Sequence, residues 1–152
     1  MPDEQSAHQI ESIEELVGLV HLVEIRPYEI SARVIAPASE DAGEIDINVE
    51  YSELHTDRTL IDRFKFVART SDAEYVTDIA AVYEAEMAVE IPNPIRLDFA
   101  ERIGFMSAFP FVREALSTSA ARLMRRAPLL DLMRPGDLRI NADSGVPAGA
   151  DE

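Results

Sequence analysis

Histidine, serine and acidic side chains are the groups of this chain that could do chemistry. The three histidines, His8, His21 and His55, fall in different predicted elements, and none has the His-x-x-x-His spacing that places two metal ligands on one helix face. The chain has no cysteine, which excludes disulfides, thiolate metal sites and cysteine nucleophiles. The sequence therefore predicts no metal site and no cofactor.

Candidate nucleophiles and acids also lack the surroundings that catalysis needs. The hydroxyl-rich run Ser117-Thr118-Ser119 falls in a predicted helix without a nearby base, and the chain has neither a Gly-x-Ser-x-Gly elbow nor a glycine-rich phosphate loop. Glu84 and Glu86 alternate onto the solvent side of a predicted strand, where no apolar pocket would raise a carboxyl pKa for general acid catalysis. We expect a protein that is not an enzyme.

The charge of the chain restricts its partners. It has 14 basic and 29 acidic residues, a formal net charge of −15, which disfavours binding to nucleic acid or to an anionic membrane. No apolar run approaches the roughly 20 residues that span a bilayer. The first residues lack the basic region of a signal peptide. We expect a cytoplasmic protein that does not span a membrane.

Length and composition predict one folded domain. The chain has 152 residues, and 47% of them are hydrophobic, which is enough for a single core. Polar and small residues at the two ends predict disordered tails at residues 1–9 and 141–152. The single domain is expected to occupy residues 10–140.

The first predicted element is an amphipathic helix over residues 10–23. Ser12 and Glu15 have the spacing of a capping box, and apolar residues follow at helical intervals. Pro27 is expected to end this segment.

Four stretches then alternate apolar and polar side chains with a period of two. They lie at residues 29–34, 44–50, 63–69 and 78–90. Such alternation is typical of antiparallel strands with one covered and one solvent-facing side. Because no helical pattern separates them, we predict a four-stranded antiparallel meander with short connections.

Helices are predicted after the sheet. A short one over residues 96–103 is expected to end at Gly104, and a longer one to start with Ser107 as its N-cap and Pro110 in its first turn. The longer helix is expected to reach about Arg126, before Ala127-Pro128. The order of elements predicts an α+β fold with the helices packed on one face of the sheet, plus the N-terminal helix.

The octapeptide at the start of that longer helix carries a family resemblance. It reads Phe109-Pro110-Phe111-Val112-Arg113-Glu114-Ala115-Leu116. It resembles the Phe-Pro-aromatic-x-Arg-Glu motif of the SecB family, which opens a long helix after a four-stranded antiparallel sheet. The segment Ala127-Pro128-x-Leu130-x-Leu132 is similar to the Phe-Pro-x-Leu-x-Leu run of the same family. The resemblance covers roughly residues 28–138.

The resemblance implies a chaperone without catalytic chemistry. SecB proteins form a dimer of dimers whose apolar grooves hold unfolded client polypeptides or preproteins without ATP. The departures concern the partner: Ala127 replaces the usual phenylalanine, and the tail from Asn141 has no basic residue with which to contact the export motor SecA. The N-terminal helix is similar to the SecB-like chaperones of actinobacterial toxin–antitoxin modules, so export and toxin control both stay open.

The resemblance also suggests site residues. Candidates for the client-binding groove are Phe64, Phe66, Phe105, Met106, Phe109 and Phe111, although such an aromatic stripe more often belongs to an ordinary core. Glu84 and Glu86 would form an acidic face that binds a partner, against the alternative that they only provide solubility. Pro110, Arg113 and Glu114 are interpreted as structural residues that brace the helix start or an interface.

Two other classes of function compete with a general chaperone. One is a small-molecule or peptide-binding α+β module, which would be a monomer or dimer with one enclosed pocket. The other is a dedicated partner of one protein, such as an antitoxin, which would bind one basic partner stoichiometrically.

Overall fold

A helical layer covers one face of a four-stranded antiparallel sheet in the computed structural model, which describes residues 6–38 and 45–128. The elements in chain order are β1 (His8–Gln9), α1 (Ile13–Leu19), β2 (Val20–Val34), β3 (Asp46–His55), β4 (Thr59–Arg69), β5 (Ala73–Ala85), β6 (Val89–Glu90), α2 (Asn93–Phe99), a π-helical turn (Ala100–Gly104) and α3 (Phe105–Arg122). The predicted α+β class, with an N-terminal helix, is confirmed.

Helix α1 begins as predicted but ends early. The Ser12 hydroxyl accepts a hydrogen bond of 3.2 Å from the backbone N–H of Glu15, as the capping box requires. The helix ends at Leu19, and residues 20–23, which we predicted to be helical, begin β2. Val20 pairs there with Ala85 of β5. The helical spacing of these residues was therefore overridden by strand pairing, which β-branched valines favour.

The strand order corrects the predicted meander. Strands β3, β4 and β5 are joined as hairpins, but β2 lies beside β5, so the order across the sheet is β2-β5-β4-β3, a Greek-key arrangement. Alternation predicts the face that each side chain takes and not the neighbour of each strand. Strand β5 is buried on both faces for most of its length, which suits the interior of the sheet rather than its edge.

Strand β2 contains Pro27 instead of ending before it. Its register against β5 shifts between Leu22 and Glu24 and again between Pro27 and Glu29. These irregularities occur on a strand at the edge of the sheet, where proline and bulges are tolerated because fewer ladder hydrogen bonds are lost. The predicted strand at 29–34 is only the second part of this element.

The helices after the sheet form one continuous segment. Gly104 does not end a helix, and Ser107 does not cap one: the backbone passes through the π-helical turn directly into α3. Pro110 lies inside α3 rather than in its first turn. The helix ends at Arg122, earlier than Arg126, and Met124 follows with a left-handed φ of 55°.

The structure describes the start of the predicted domain but not its end. His8 and Gln9, which we expected in a tail, pair in parallel with Val89 and Glu90. Val89 and Glu90 therefore form β6 instead of extending β5. The predicted tail at 141–152, the predicted domain end at 140 and the apolar residues after Pro128 lie outside the described residues.

Two apolar clusters fill the space between the layers. The first joins the inner face of the sheet to α3, with Phe64, Phe66 and Tyr75 beneath Phe105 and Val112. The second joins the N-terminal segment to the far end of β5 and to α2; its fully or nearly fully buried members include Ile10, Leu16, Tyr83 and Phe99.

Candidate functional site

Four of the six predicted groove residues belong to the core between the sheet and α3. Phe64, Phe66, Phe105 and Phe109 are each at most 5% exposed. The Phe105 ring centroid lies 5.5 Å from that of Phe64 and 5.7 Å from that of Phe66. The prediction that these four rings line a surface groove is wrong for this conformation, because the alternating strand positions that carry two of them face the helix.

The remaining two groove candidates are accessible to different degrees. Met106 is half-buried against the first core cluster. Phe111 is 49% exposed. Since Phe109 contacts Phe66 of β4, Phe111, which lies about 200° further round the helix, points away from the sheet. It is the one predicted ring that stands at the surface of the described chain.

A row of exposed apolar side chains lies on the inner face of β2. Leu22, Ile30 and Val34 are 46%, 52% and 48% exposed. Their register partners in β5 are Tyr83, Thr77 and Ala73, whose side chains are buried beneath the helical layer. The three residues thus extend the inner, apolar face of the sheet beyond the helices. We call Leu22, Ile30 and Val34 the apolar strip.

The backbone beside the apolar strip is a sheet edge. Among the described residues, β2 pairs only with β5 and has no strand on its other side. Exposed edges with apolar side chains are templates for pairing with another chain. Sequence reasoning missed β2 as a site because it took Ile30 and Val34 as the covered face of a strand. The sequence feature that could have indicated this site is the long run of alternating apolar residues that ends before Pro37.

The predicted acidic face is exposed but mixed in charge. Glu84 lies opposite His21 and Thr59 on the outer face of the sheet, and the Glu86 carboxylate lies 2.9 Å from the His21 ring nitrogen Nε2 beyond the end of β5. By register, Arg33, Arg63 and Lys65 share this face. Nothing in the geometry tests whether a partner binds there.

The predicted structural residues make mostly local contacts. Glu114 accepts a hydrogen bond of 3.0 Å from the Thr118 hydroxyl, one turn along α3. The Arg113 guanidinium lies 5.9 Å from the centroid of the Phe109 ring. Pro110 is exposed, so its ring faces solvent where the helix lacks one N–H. Whether they brace an interface stays a prediction.

A buried polar cluster lies beneath the π-helical turn. Asp62 on the inner face of β4 is fully buried, and its Oδ1 accepts a hydrogen bond of 3.0 Å from the Tyr51 hydroxyl. The same hydroxyl lies 3.2 Å from Glu53, whose other oxygen accepts from Arg96 at 3.0 Å. Nearby, the Tyr83 hydroxyl lies 2.6 Å from the Ser107 hydroxyl.

Burial dominates the protonation of this cluster. It raises the pKa of Asp62 to about 7, and the neighbouring Glu53 adds to this while Tyr51 and Arg96 oppose it. Burial and the nearby carboxylates raise the pKa of Tyr51 above its usual value, and burial raises the pKa of Tyr83 to about 12. The tyrosines are therefore neutral, and Asp62 is the group of this cluster whose pKa lies near neutral pH.

The described part of the chain meets the requirements of neither a metal site nor a membrane-spanning helix. No group of three or more histidine, cysteine or acidic residues within residues 6–38 and 45–128 could hold a metal ion. No helix in those ranges is both long enough and apolar enough to cross a membrane.

Comparison with known proteins shows what the chain is similar to. No protein-family model matches it. Its sequence is 27% identical over 140 residues to the SecB-like chaperone SmegB of Mycolicibacterium smegmatis, in an alignment that covers 92% of this chain and 93% of that protein. The chain is SecB-like. The resemblance that the octapeptide indicates is confirmed over nearly the whole length.

A solved structure shares the SecB-like fold. It is Mycobacterium tuberculosis Rv1957, a SecB-like chaperone in complex with a ChAD peptide from the HigA1 antitoxin. The TM-score is 0.68 at 19% sequence identity, and the alignment covers 79% of this chain and 95% of the other. The four-stranded sheet and its helical layer are thus common to both, while the bound peptide belongs to the neighbour.

Proposed function

We propose that this SecB-like protein is an ATP-independent holdase that binds extended segments of unfolded polypeptides along the apolar strip. The observation that carries the site is the row of half-exposed Leu22, Ile30 and Val34 along a sheet edge. The relatedness to a chaperone over 92% of the chain supports the activity. The antitoxin peptide bound by the structural neighbour supports a peptide as the class of ligand.

The proposed binding needs no chemistry. Covering a half-exposed aliphatic side chain contributes on the order of 1 kcal/mol, and burial is insensitive to sequence, so several such contacts give weak, general affinity. An extended client can add main-chain hydrogen bonds to the edge of β2, as in β-strand addition. We propose accordingly that the protein acts by binding and not by catalysis.

The assembly and location follow the family resemblance. We propose a homotetramer built as a dimer of dimers, in the cytoplasm. A partner at Glu84 and Glu86, such as SecA in an export role, belongs to the same proposal. The charged residues that share this face include basic ones, so the face fits a partner with both charge signs rather than a purely basic one.

A dedicated role with an antitoxin is the second candidate. It is favoured by the antitoxin peptide in the neighbouring structure, whereas nothing comparable favours export. The two roles predict different clients: a holdase for export protects many preproteins, and a dedicated chaperone binds one antitoxin segment more tightly than unrelated unfolded chains.

The test combines light scattering with an aggregation assay on the full chain. Native mass is measured, and the protein is titrated into a refolding client without nucleotide. We expect suppression of aggregation by the wild type and at least a tenfold loss of potency in Ile30→Asp and Val34→Asp. Matched controls place the same charge nearby: Ser31→Asp on the opposite face of β2 and Ser117→Asp on the exposed side of α3 should keep full potency.

Three results would contradict the proposal. A wild-type chain that protects no client would remove the holdase activity. Equal potency in the variants and their controls would remove the apolar strip as the binding site. A fall in native mass in Ile30→Asp, with client protection unchanged, would assign the strip to contact between copies of the chain.

A further inference from the structure

Asp62 is buried at the contact between the sheet and the π-helical turn without a cation of its own. One carboxylate oxygen accepts from Tyr51, and the other, Oδ2, has no hydrogen-bond partner in the part of the chain that the structure describes. The nearest guanidinium, Arg96, donates to Glu53, the carbonyl oxygen of Ile91 and Asn93. An ionised carboxylate in this position is therefore poorly compensated.

The π-helical turn is fitted to this carboxyl group. A Cβ atom at position 104 would lie closer to Asp62 Oδ2 than nonbonded atoms approach, so glycine lets the helix backbone meet the carboxyl directly. The turn also interrupts the regular hydrogen bonding of the helix: the N–H of Phe105 bonds to the carbonyl oxygen of Ala100, five residues earlier. Such single π-helical turns are often functional positions.

The groups that face Asp62 come from each element packed against it. Tyr51 and Glu53 approach from β3, Tyr83 from β5, Arg96 from α2 and Gly104 from the turn. Burial and Glu53 favour the protonated carboxyl, and the Tyr51 hydrogen bond and the charge of Arg96 favour the carboxylate. A protonated carboxyl leaves no uncompensated charge at Oδ2, whereas an ionised one places a second negative charge beside Glu53.

We propose that Asp62 is a proton-operated latch: the neutral carboxyl lets the π-helical turn pack against the sheet, and the ionised carboxylate loosens that contact. Phe105 follows the turn directly and stacks on Phe64 and Phe66. Loosening the turn thus increases access to the aromatic core that the closed conformation buries. The inference goes beyond the holdase proposal, and it does not require that the protein bind clients.

The first measurement is the carboxyl ¹³C titration of Asp62 in the full-length protein. We expect a midpoint near pH 7. Two conservative variants should move it in opposite directions. Glu53→Gln lowers the midpoint because a neighbouring negative charge is removed, and Tyr51→Phe raises it because the hydrogen bond to the carboxylate is lost. A midpoint near the ordinary value of 3.8 would overturn the latch.

The second measurement is hydrogen exchange across the midpoint, corrected for the intrinsic pH dependence of amide exchange. We expect amides of residues 100–106 to lose protection at pH 8 relative to pH 6, by at least fivefold more than amides of β4. Asp62→Asn should abolish this difference, and Asp46→Asn, at an exposed acid on β3, should not. Equal pH dependence in wild type and Asp62→Asn would refute the latch even if client binding were intact.

Discussion

Asp62 and Asp78 are buried aspartates on adjacent strands of one sheet, and they have opposite surroundings. Asp78 on the outer face receives two hydrogen bonds from Arg63, Nε to Oδ1 at 2.9 Å and Nη2 to Oδ2 at 2.8 Å. The Arg63 guanidinium in turn lies 3.8 Å from the centroid of the Tyr28 ring. Asp62 on the inner face has one hydrogen bond from a neutral tyrosine.

The difference depends on strand alternation. Asp62 and Arg63 are consecutive residues, so their side chains point to opposite faces of β4. The arginine next to Asp62 in the chain consequently neutralises Asp78 and leaves Asp62 to the helix backbone. A buried acid with a bidentate cation is a fixed structural element, and a buried acid without one is sensitive to pH.

The largest expected effect comes from removing the cation of the outer pair. Arg63→Met leaves Asp78 buried without its bidentate partner, which should reduce the free energy of unfolding by about 3–5 kcal/mol. The double variant Arg63→Met with Asp78→Leu should recover most of this loss, since no buried charge is left. Urea unfolding followed by far-UV circular dichroism measures both. A single variant as stable as the wild type would show that the pair is not effectively buried.

The next effect is the pH dependence of stability due to Asp62. Folding raises the pKa of Asp62 from 3.8 to about 7, so the folded state binds the proton more tightly, and stability is lost as pH rises from about 4 through about 7. At about 1.4 kcal/mol per pH unit, the loss between pH 5 and pH 8 is roughly 2–3 kcal/mol.

Asp62→Asn should remove this loss of unfolding free energy between pH 5 and pH 8 and leave the pH dependence due to other groups unchanged. The comparison is made by urea unfolding at pH 5, 6.5 and 8. Asp78→Asn is the matched substitution on the other face, and it should lower stability without removing the component assigned to Asp62. Parallel profiles for wild type and Asp62→Asn would contradict the expected difference between the two acids.

A smaller effect is expected at the contact between Gly104 and Asp62. Gly104→Ala should cost about 1–2 kcal/mol net, because its Cβ must displace the carboxyl, although alanine favours a helix. In an Asp62→Ala background the same substitution should be neutral or stabilising. A double-mutant cycle measures the coupling, and a coupling energy near zero would mean that the two residues do not constrain each other.

The smallest effect concerns the ring above the outer pair. Tyr28→Leu should cost about 0.5–1 kcal/mol through loss of the cation–π contact with Arg63, and Tyr28→Phe, which keeps the ring, should cost almost nothing. Thermal unfolding of the two variants at equal ionic strength provides the comparison. Equal losses would assign the effect to the tyrosine hydroxyl instead.

The prediction of the client-binding site shows what a residue pattern can determine and what it cannot. The aromatic residues that were predicted together do lie together, since Phe64, Phe66, Phe105 and Phe109 form one cluster. Their alternation and helical spacing indicate a shared apolar face but do not indicate whether that face is covered. Burial depends on the position of α3 over the sheet, and that position is set by contacts between residues distant in sequence.

Local patterns predicted individual elements better than they predicted which elements lie beside each other. The Ser12 cap and the inner faces of β3, β4 and β5 follow from short-range spacing. The first part of β2 did not, because Val20 and Val23 have the spacing of a helix face. The pairing with β5 decided between helix and strand, and sequence spacing contains no information about that partner.

The amino-acid sequence by itself determined the α+β class, the acidic charge without cysteine, and a resemblance to SecB proteins that the similarity to SmegB supports. Only the tertiary structure decided which apolar residues are exposed, which buried acid has a cation, and that the octapeptide lies inside a continuous helix. The physical reason is that spacing fixes the direction of a side chain relative to its own element. The environment that the side chain meets is supplied by other elements, and only packing brings these together.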